Sequence, residues 1–413
     1  MKLHGIKIPH LKNTADCAPV RIPVPKTVTI PMSMHIGKPA EILVKRGDSV
    51  KVGQLIGRAD GSISAHIHSS VSGTVQKIDQ MIASNGAKIT CAVIETDGKQ
   101  ELSDTVKPPD VNDFDSFIHA VRESGAVGLG GAGFPSFAKL NISDLSKIQA
   151  VVINAAECEP YITSDTRTML DKTQYISKGI SAVRKYMNVK KFIIGIETNK
   201  PAAIAKMQEL AKNDSSIEVH ALPSMYPQGG EKVLVFNTMK KIIPKGRLPI
   251  DAGAVVINIT TLAFIGEYLE TGIPLIESAG GLKYEPAKII YGGPMMGIAV
   301  PSMNEPVLKN TNAVIFMDKK EAALPETTAC INCGACLSHC PFMLDPRSIA
   351  LAYKLGNAEE LQKLCVDMCM ECGCCSYVCP ANRPLVQTNK LAKIKLREYL
   401  NSKKGGILSN RIH

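Results

Sequence analysis

The sequence predicts a multidomain protein in which a β-rich domain, an α/β domain and a small α-helical domain follow one another. Up to about residue 98, polar and apolar side chains alternate with frequent glycine, which is typical of short strands and turns. Apolar runs at residues 150–154 and 191–196 alternate with helical periodicity, which indicates buried parallel strands. Two cysteine runs mark the third domain. The 413 residues, 45% of them hydrophobic, suffice for two or three domains.

The N-terminal domain contains two segments, residues 44–56 and 63–75, that together resemble the barrel-sandwich hybrid fold of biotinyl and lipoyl carriers. Those carriers present a modifiable lysine at the tip of a hairpin. The corresponding tip here is residues 58–62 (RADGS), which include no lysine. We therefore expect a structural domain and not a swinging arm. A linker at residues 107–110 (KPPD) separates it from the α/β domain.

A glycine-rich loop, residues 128–135 (GLGGAGFP), lies early in the predicted α/β domain. Its small residues would let backbone N–H groups approach a phosphate closely, although such a loop alone is as often only a turn. Residues 153–160 (INAAECEP) and 255–258 (VVIN) lie at the carboxyl ends of predicted strands, where α/β sheets bind ligands. Residues 226–232 (YPQGGEK) form a second glycine turn. Together these segments favour a nucleotide site.

Eight of the 13 cysteines fall in two runs that share the spacing C-x2-C-x2-C-x3-C-P. Chains that hold two [4Fe–4S] clusters have this spacing, and the fourth cysteine of each run then ligates the other cluster. Zinc needs neither the third cysteine nor the final Cys-Pro, and a large chain without a secretory signal does not suit a disulfide framework. The four ligands of each cluster are complete without the neighbouring Cys365 and Cys374. The predicted ligands are Cys330, Cys333, Cys336 and Cys379 for the first cluster, and Cys369, Cys372, Cys375 and Cys340 for the second.

The formal net charge of +10 is concentrated at the C-terminus. The basic run is compatible with a solvated helix face, with contact to anionic lipid, or with an acidic partner. Nucleic acid is disfavoured because no recognition motif accompanies the charge. Apolar runs are too short for a transmembrane helix and no signal peptide opens the chain, so we expect a soluble or peripheral protein. The basic residues are Arg383, Lys390, Lys393, Lys395, Arg397, Lys403, Lys404 and Arg411, against Glu398 alone.

From about residue 26 to residue 395, these motifs together resemble the RnfC family, the peripheral subunit of the Rnf ion-translocating ferredoxin:NAD oxidoreductase. The loop set is also similar to that of the flavin subunit of respiratory complex I. There the glycine-rich loop and an Asn-Ala-Asp-Glu-x-Glu-Pro segment hold FMN and NADH. The resemblance implies non-covalent FMN, NAD(H) as the substrate and two [4Fe–4S] clusters. Such a chain would convert two-electron transfer into one-electron steps.

The resemblance also implies a role for each matching residue. Glu157 and Glu159 would line the nicotinamide side as the catalytic pair, and Lys139 would meet a phosphate as a point charge. Ala156 stands where the complex I pattern has Asp, so one expected bond to the ribityl chain is absent. The residues expected around FMN or NADH are Gly128, Gly130, Gly131, Gly133, Phe134, Lys139, Asn154, Glu231 and Asn258.

A second departure concerns the segment after the α/β domain. In the family a small β-grasp-like SLBB module would start there, but residues 268–275 run almost directly into residues 277–281. We expect a shortened SLBB-like segment. The predicted division is a barrel-sandwich hybrid domain at 1–105, a complex I flavin-subunit-like α/β FMN domain at 110–271, the connecting segment at 272–324, an α-helical two-cluster ferredoxin-like domain at 325–400 and a basic tail at 401–413.

The expected function is an NADH-linked electron-transfer subunit, peripheral on the cytoplasmic face of the cell membrane. Its partners would be the membrane subunits of an Rnf-type complex, with ferredoxin reached through the complex and no nucleic acid. One alternative is a soluble RnfC-like flavoprotein that donates electrons to a metabolic reductase. Another is a two-cluster carrier or scaffold that lacks flavin, for which Ala156 is the only support.

Overall fold

The computed structural model describes residues 5–20, 22–83, 86–276, 286–303 and 305–409, with only the backbone for 404–409. The N-terminal domain consists of two small β-sheets, in the orders β1-β7-β6-β3 and β2-β4-β5, whose paired strands are antiparallel. Its core includes Met32, Ile56, Ile67 and Ile94, all nearly or fully buried. The strands are β1 (Thr27–Pro31), β2 (Glu41–Ile42), β3 (Ser49–Val50), β4 (Leu55–Arg58), β5 (Ile67–His68), β6 (Gly73–Ile82) and β7 (Lys88–Thr96).

The α/β domain is built on a four-stranded parallel sheet in the order β10-β9-β8-β11, which confirms the predicted class. The two apolar runs of the sequence form its central strands. Alternate residues of β8 serve opposite faces, since Ile153 joins the main core cluster and Val152 joins a second one. The strands are β8 (Ala150–Ala155), β9 (Phe192–Glu197), β10 (Ile217–Leu222) and β11 (Ala254–Asn258).

Helices cover both faces of this sheet. On one face α4 and α7 approach each other closely. Gly179 and Gly266 permit this contact, because a Cβ on either would overlap a backbone oxygen of the other helix. On the other face α6 contributes Leu234 and Val235 to the second core. The helices are α1 (Phe114–Glu123), α2 (Ser136–Leu140), α3 (Ser164–Asp171), α4 (Thr173–Met187), α5 (Pro201–Ala211), α6 (Glu231–Met239) and α7 (Ile259–Thr271), with 3-10 turns at Leu145–Lys147 and Pro249–Ala252.

The connecting segment forms a three-stranded antiparallel sheet in the order β13-β12-β14. Its strands are β12 (Lys288–Tyr291), β13 (Ile298–Val300) and β14 (Val314–Met317). The sequence indicates only a turn-rich piece here, because strands of three or four residues are too short to show a clear alternation. Residues 277–281, where the shortened module was expected to begin, lie outside the described residues.

The C-terminal domain is helical, as predicted. Helices α9, α10 and α12 enclose a small core that contains Ile349, Leu361 and Leu396. Helix α12 continues to Ser409, so the predicted basic tail begins inside this helix. No helix within the described part of the chain has the length and apolar character needed to cross a membrane. The helices are α8 (Ala335–Ser338), α9 (Pro346–Lys354), α10 (Ala358–Lys363), α11 (Cys374–Tyr377) and α12 (Leu385–Ser409), with a 3-10 turn at Val366–Met368.

Candidate flavin and cluster sites

Two predicted site residues lie side by side at the carboxyl edge of the parallel sheet. Asn154 is the last residue but one of β8 and Asn258 is the last residue of β11, and the two are register partners. The amide nitrogen of Asn154 donates to the carbonyl oxygen of Gly229 at 2.8 Å. The amide nitrogen of Asn258 donates to both carboxylate oxygens of Asp165, at 3.0 and 2.9 Å. These hydrogen bonds hold both amides in place. The bond to Gly229 also places the 226–232 turn at the same edge of the sheet.

The glycine-rich loop lies over this edge. A hydrogen bond of 2.9 Å from the Gly128 N–H to the Phe134 carbonyl closes the loop at its base. A Cβ on Gly130 would overlap the amide of Asn258, so the loop touches the end of β11. Gly131 is different, because a Cβ there would meet no atom within 4 Å and the residue is exposed. The loop is thus packed at Gly130 and open at Gly131, which fits a surface that receives a ligand.

Gly133 and Lys139 complete the predicted loop set. Gly133 has a φ of +71°, a conformation that favours glycine, and its carbonyl accepts a hydrogen bond of 3.1 Å from the Ile36 N–H of the N-terminal domain. Lys139 lies in α2, directly after the loop, and its ammonium donates to Glu231 Oε1 at 2.5 Å and to the Val256 carbonyl at 3.0 Å. Two predicted ligand contacts, Lys139 and Glu231, therefore pair with each other. Both are half-exposed, and such pairs are weak enough for a phosphate to compete.

The carboxylate of Glu157 accepts hydrogen bonds from residues close to it in the chain. One carboxylate oxygen accepts from the Asp165 N–H and the other from the Thr166 hydroxyl, both at 2.6 Å, at the start of α3. The residue is buried and has a φ of +46°, which few non-glycine residues adopt. Burial, reinforced by the nearby Asp165 carboxylate, raises the pKa of Glu157 to about 7. The carboxylate predicted to line the nicotinamide side thus stabilises the first turn of α3 in this structure.

Two lysines that the sequence does not single out hold the same segment. The Lys12 ammonium donates to the carbonyl oxygens of Glu157 and Glu159, at 2.8 Å each. The Lys200 ammonium donates to the Ala156 carbonyl at 2.7 Å and pairs with the fully buried Glu197 at 2.8 Å. No local signal marks either lysine, because each contact with this segment joins residues more than 40 positions apart. Two lysine ammonium groups therefore bind the backbone of the candidate nucleotide segment.

Glu159 contacts the connecting segment instead of open solvent. Its carboxylate oxygens accept hydrogen bonds from the backbone N–H groups of Met295 and Met296, at 3.0 and 2.9 Å. Burial raises the pKa of Glu159 above its usual value. The hydroxyl of Tyr226 lies 3.3 Å from Glu159 and donates a shorter hydrogen bond of 2.7 Å to the backbone carbonyl of Cys372. Tyr226 therefore joins the candidate nucleotide segment to the second cysteine run.

Each predicted set of cluster ligands lines its own cavity. The four cysteines assigned to the first cluster line a cavity of about 430 Å³, here called the first cluster cavity. The four assigned to the second line a smaller cavity, the second cluster cavity, together with Cys374. Within the described residues no three potential ligands converge on a single-ion position. A cubane offers a different iron to each thiolate and so spaces its ligands more widely. The four thiols around each cavity suit that group in kind and number, although only the first cavity is roomy and the second measures about 20 Å³.

The two cavities differ in their surroundings. Cys330 and Cys333 of the first set are exposed, whereas Cys372 and Cys375 of the second are buried. The second run also packs on the α/β domain and the connecting segment, where a Cβ on Gly373 would lie 3.0 Å from the Met295 carbonyl. The second cluster cavity therefore abuts the candidate flavin domain, and the first opens to solvent.

Comparisons with known proteins agree with this architecture. Residues 2–99 match the RnfC barrel sandwich hybrid domain, residues 121–267 match the Nuo51 FMN-binding domain, and residues 326–385 match a 4Fe-4S dicluster domain. These matches confirm the predicted kinds of domain and the FMN and [4Fe–4S] cofactors.

Proteins of known assignment resemble most of the chain. It is 37% identical to the C subunit of the Na⁺-translocating ferredoxin:NAD⁺ oxidoreductase complex of Acetobacterium woodii, over 84% of this chain and 86% of that one. It is 36% identical to the proton-translocating counterpart of Clostridium ljungdahlii, over 85% and 83% of the two chains. It is 34% identical to the C subunit of the ion-translocating oxidoreductase complex of Rhodobacter capsulatus, over 95% and 82%. The chain belongs to the RnfC family, the C subunits of ion-translocating ferredoxin:NAD⁺ oxidoreductase complexes.

Proposed function

We propose that this chain passes electrons between NAD(H) and the membrane redox subunits of an Rnf-type complex, peripheral on the cytoplasmic face of the cell membrane. The partners, and not this chain, would couple the electron flow to ion translocation. Membership of the RnfC family supports the complex. The observation that carries the electron path is the pair of contacts from Tyr226 to Glu159 and Cys372, which joins the nucleotide segment to a cluster ligand.

The residues present fit FMN and clusters. Bound FMN would take up two electrons and release them singly to the [4Fe–4S] clusters. The open backbone at Gly131 would receive the phosphate or the ring of the ligand, and Asn154 and Asn258 are held rigidly at the sheet edge. Lys12 and Lys200 would place positive charge beneath the site. Gly128, Gly130, Gly133, Phe134, Lys139 and Glu231 remain the proposed surroundings of FMN or NADH.

The proposed roles of Glu157 and Glu159 follow from their contacts. Each carboxylate accepts two hydrogen bonds from the protein, so each positions a loop of the site. Glu159 would hold the connecting segment against the nucleotide side, and Glu157 would orient the first turn of α3. Ala156 offers no side-chain hydrogen bond to a ribityl chain, and the Lys200 ammonium holds its carbonyl. The remaining backbone and amide groups would bind the flavin without it.

The cavities suggest an order for the clusters. The second cluster cavity abuts the α/β domain, so a cluster held there would be the one nearer the flavin. The first cluster cavity opens to solvent through exposed cysteines, so a cluster held there would be the one nearer an external partner. We also assign the β12–β14 sheet to a shortened SLBB-like segment, on the basis of its place directly after the α/β domain.

Anaerobic purification of the full chain tests the proposal. We expect a flavin absorbance spectrum, about eight iron and eight labile sulfide atoms per chain, and reduction of both clusters when NADH is added. Absence of flavin with both clusters intact would favour the scaffold alternative. Full NADH-linked activity with no association to the membrane subunits would favour the soluble donor to a metabolic reductase.

A further inference from the structure

The mouth of the first cluster cavity presents apolar side chains to solvent. Ile331 is 68% exposed and Leu351 is 59% exposed, and both line the cavity. Leu355, 71% exposed, lies four residues after Leu351, immediately beyond the end of α9, and so continues the same face. Three large apolar side chains near one opening form a surface that is costly to leave in water.

Positive charge surrounds this apolar centre. Arg347, Lys354 and Arg383 line the cavity, and no acidic residue is among its lining residues. Lys354 and Arg383 have no ion-pair partner among the residues that the structure describes. Lys395 of α12 extends the charge, since its ammonium would lie 3.8 Å from a Cβ on Gly356, beside Leu355. An apolar centre with a charged rim is the usual anatomy of a protein interface.

We infer that this surface docks an acidic-rimmed membrane redox subunit of the complex, which exchanges electrons with the first cluster. We call it the exit face and define it as Ile331, Leu351 and Leu355 with Arg347, Lys354, Arg383 and Lys395. The inference rests on the proposed function, because it assumes that the cysteines in the cavity hold a redox centre. A flat lipid surface cannot enter a concave opening, and a lipid cannot accept an electron. A protein with complementary charge satisfies both conditions.

The test measures binding of the full chain, loaded with flavin and clusters, to the membrane subunits of the complex purified from cells that lack this chain. The variant Lys354→Glu/Lys395→Glu reverses two rim charges, and we expect it to bind about tenfold more weakly at low salt. The variant Leu355→Gln removes an apolar contact. At about 0.5 M salt the charge effect should vanish through screening, whereas the Leu355→Gln defect should persist.

A matched control changes the same number of charges elsewhere. Lys212→Glu/Lys319→Glu alters two exposed lysines that have no ion pair within the described ranges, and it should bind like the wild type. Equal weakening in the control and the rim variant would overturn the inference. A rim variant that loses affinity equally for anionic lipid vesicles free of protein would assign the face to the membrane surface instead.

The proposed function is measured on the same preparations. NADH reduction of an artificial acceptor, together with iron and flavin content, reports whether the electron path is intact. If NADH reduction of the acceptor fails while iron content is normal and binding shows the expected pattern, the NADH-linked function is wrong and the docking surface stands. If all of these readouts are normal and the exit-face variants bind like the wild type, the docking surface is wrong and the function stands.

Discussion

The hydroxyl of Tyr226 donates a 2.7 Å hydrogen bond to the backbone carbonyl of Cys372. A residue of the α/β domain thereby holds the backbone of a predicted cluster ligand in place. Tyr226 is almost fully buried, and its partner carbonyl has no ready access to water. The two residues are 146 positions apart, and their contact keeps the second cluster cavity against the flavin domain. An electron path needs such a contact because transfer weakens steeply with distance.

Removal of this hydroxyl should destabilise the interface between the two domains. In Tyr226→Phe the ring still fills its site, but the Cys372 carbonyl loses its donor, which costs about 1–3 kcal/mol. We expect a lower denaturation midpoint for the anaerobic loaded protein and an altered electron paramagnetic resonance signal from one cluster only. Tyr377→Phe, at an exposed tyrosine, is the control and should change neither quantity. An unchanged midpoint in Tyr226→Phe would show that the contact does not stabilise the interface.

The open space at Gly131 makes a ligand-specific test possible. A valine there would meet no protein atom at its Cβ, so Gly131→Val should fold with unchanged stability. It should bind FMN at least about tenfold more weakly, as expected when an overlap costs about 1.4 kcal/mol or more. Fluorescence titration of the flavin-free protein measures the affinity. Gly130→Ala, where the Cβ overlaps Asn258, should instead lower stability. Normal FMN affinity in Gly131→Val would move the flavin away from this part of the loop.

Glu157 should make the protein less stable as the pH rises. Its pKa is raised from the usual value near 4.5 to about 7 by burial and by Asp165, so the folded state binds a proton that the unfolded state has lost in that window. The stability contribution of the protonated group is full below about pH 4.5 and disappears as the pH passes about 7. Urea unfolding at pH 5.5 and pH 8 should show higher stability at the lower pH. Glu157→Gln should flatten the difference, and an unchanged slope in that variant would assign it to other groups.

Cys374 and Cys375 lie in the same cavity but should behave differently. The predicted ligand count is complete with Cys375, so Cys375→Ser should lose one cluster, or about four of about eight iron atoms. Cys374 is fully buried beside the predicted ligands, yet Cys374→Ser should retain both clusters. Iron and labile sulfide assays decide between them. Loss of four iron atoms in Cys374→Ser alone would exchange the roles of the two thiols.

Some basic residues of α12 form hydrogen bonds or ion pairs within the protein, and others have no ion pair among the described residues and can meet an external anionic surface. Lys393 donates to Glu371 at 2.5 Å and to the Cys369 carbonyl at 3.0 Å, so its ammonium already binds the second cysteine run. Lys390 and Arg397 have no ion pair within the described residues. Lys390→Gln/Arg397→Gln should weaken membrane binding by about 1 kcal/mol for each charge removed. The variant should therefore leave the membranes at a lower salt concentration than the wild type. Lys393→Gln should leave that release point unchanged and perturb the second cluster. Sedimentation with membranes that contain the partners measures both.

The sequence by itself determined the features that depend on local pattern. Cysteine spacing predicted both ligand sets, because two residues between neighbouring cysteines let three thiolates of one short loop reach one cluster. The apolar runs that form β8 and β9, and the glycine-rich loop, are also recognisable from a few consecutive residues. The short strands β12–β14 were not predictable in this way, since three or four residues do not establish a period.

The tertiary structure alone decided how these features meet. Lys12 lies 145 residues from the Glu157 carbonyl that it binds, and Tyr226 lies far from both Glu159 and Cys372. Such contacts depend on how whole domains pack, and no local periodicity records them. The resemblance predicts that Glu157 and Glu159 line the nicotinamide side, but the sequence does not show that the protein also supplies hydrogen-bond donors to each carboxylate. A buried carboxylate must find such donors, and only the folded chain determines which groups supply them.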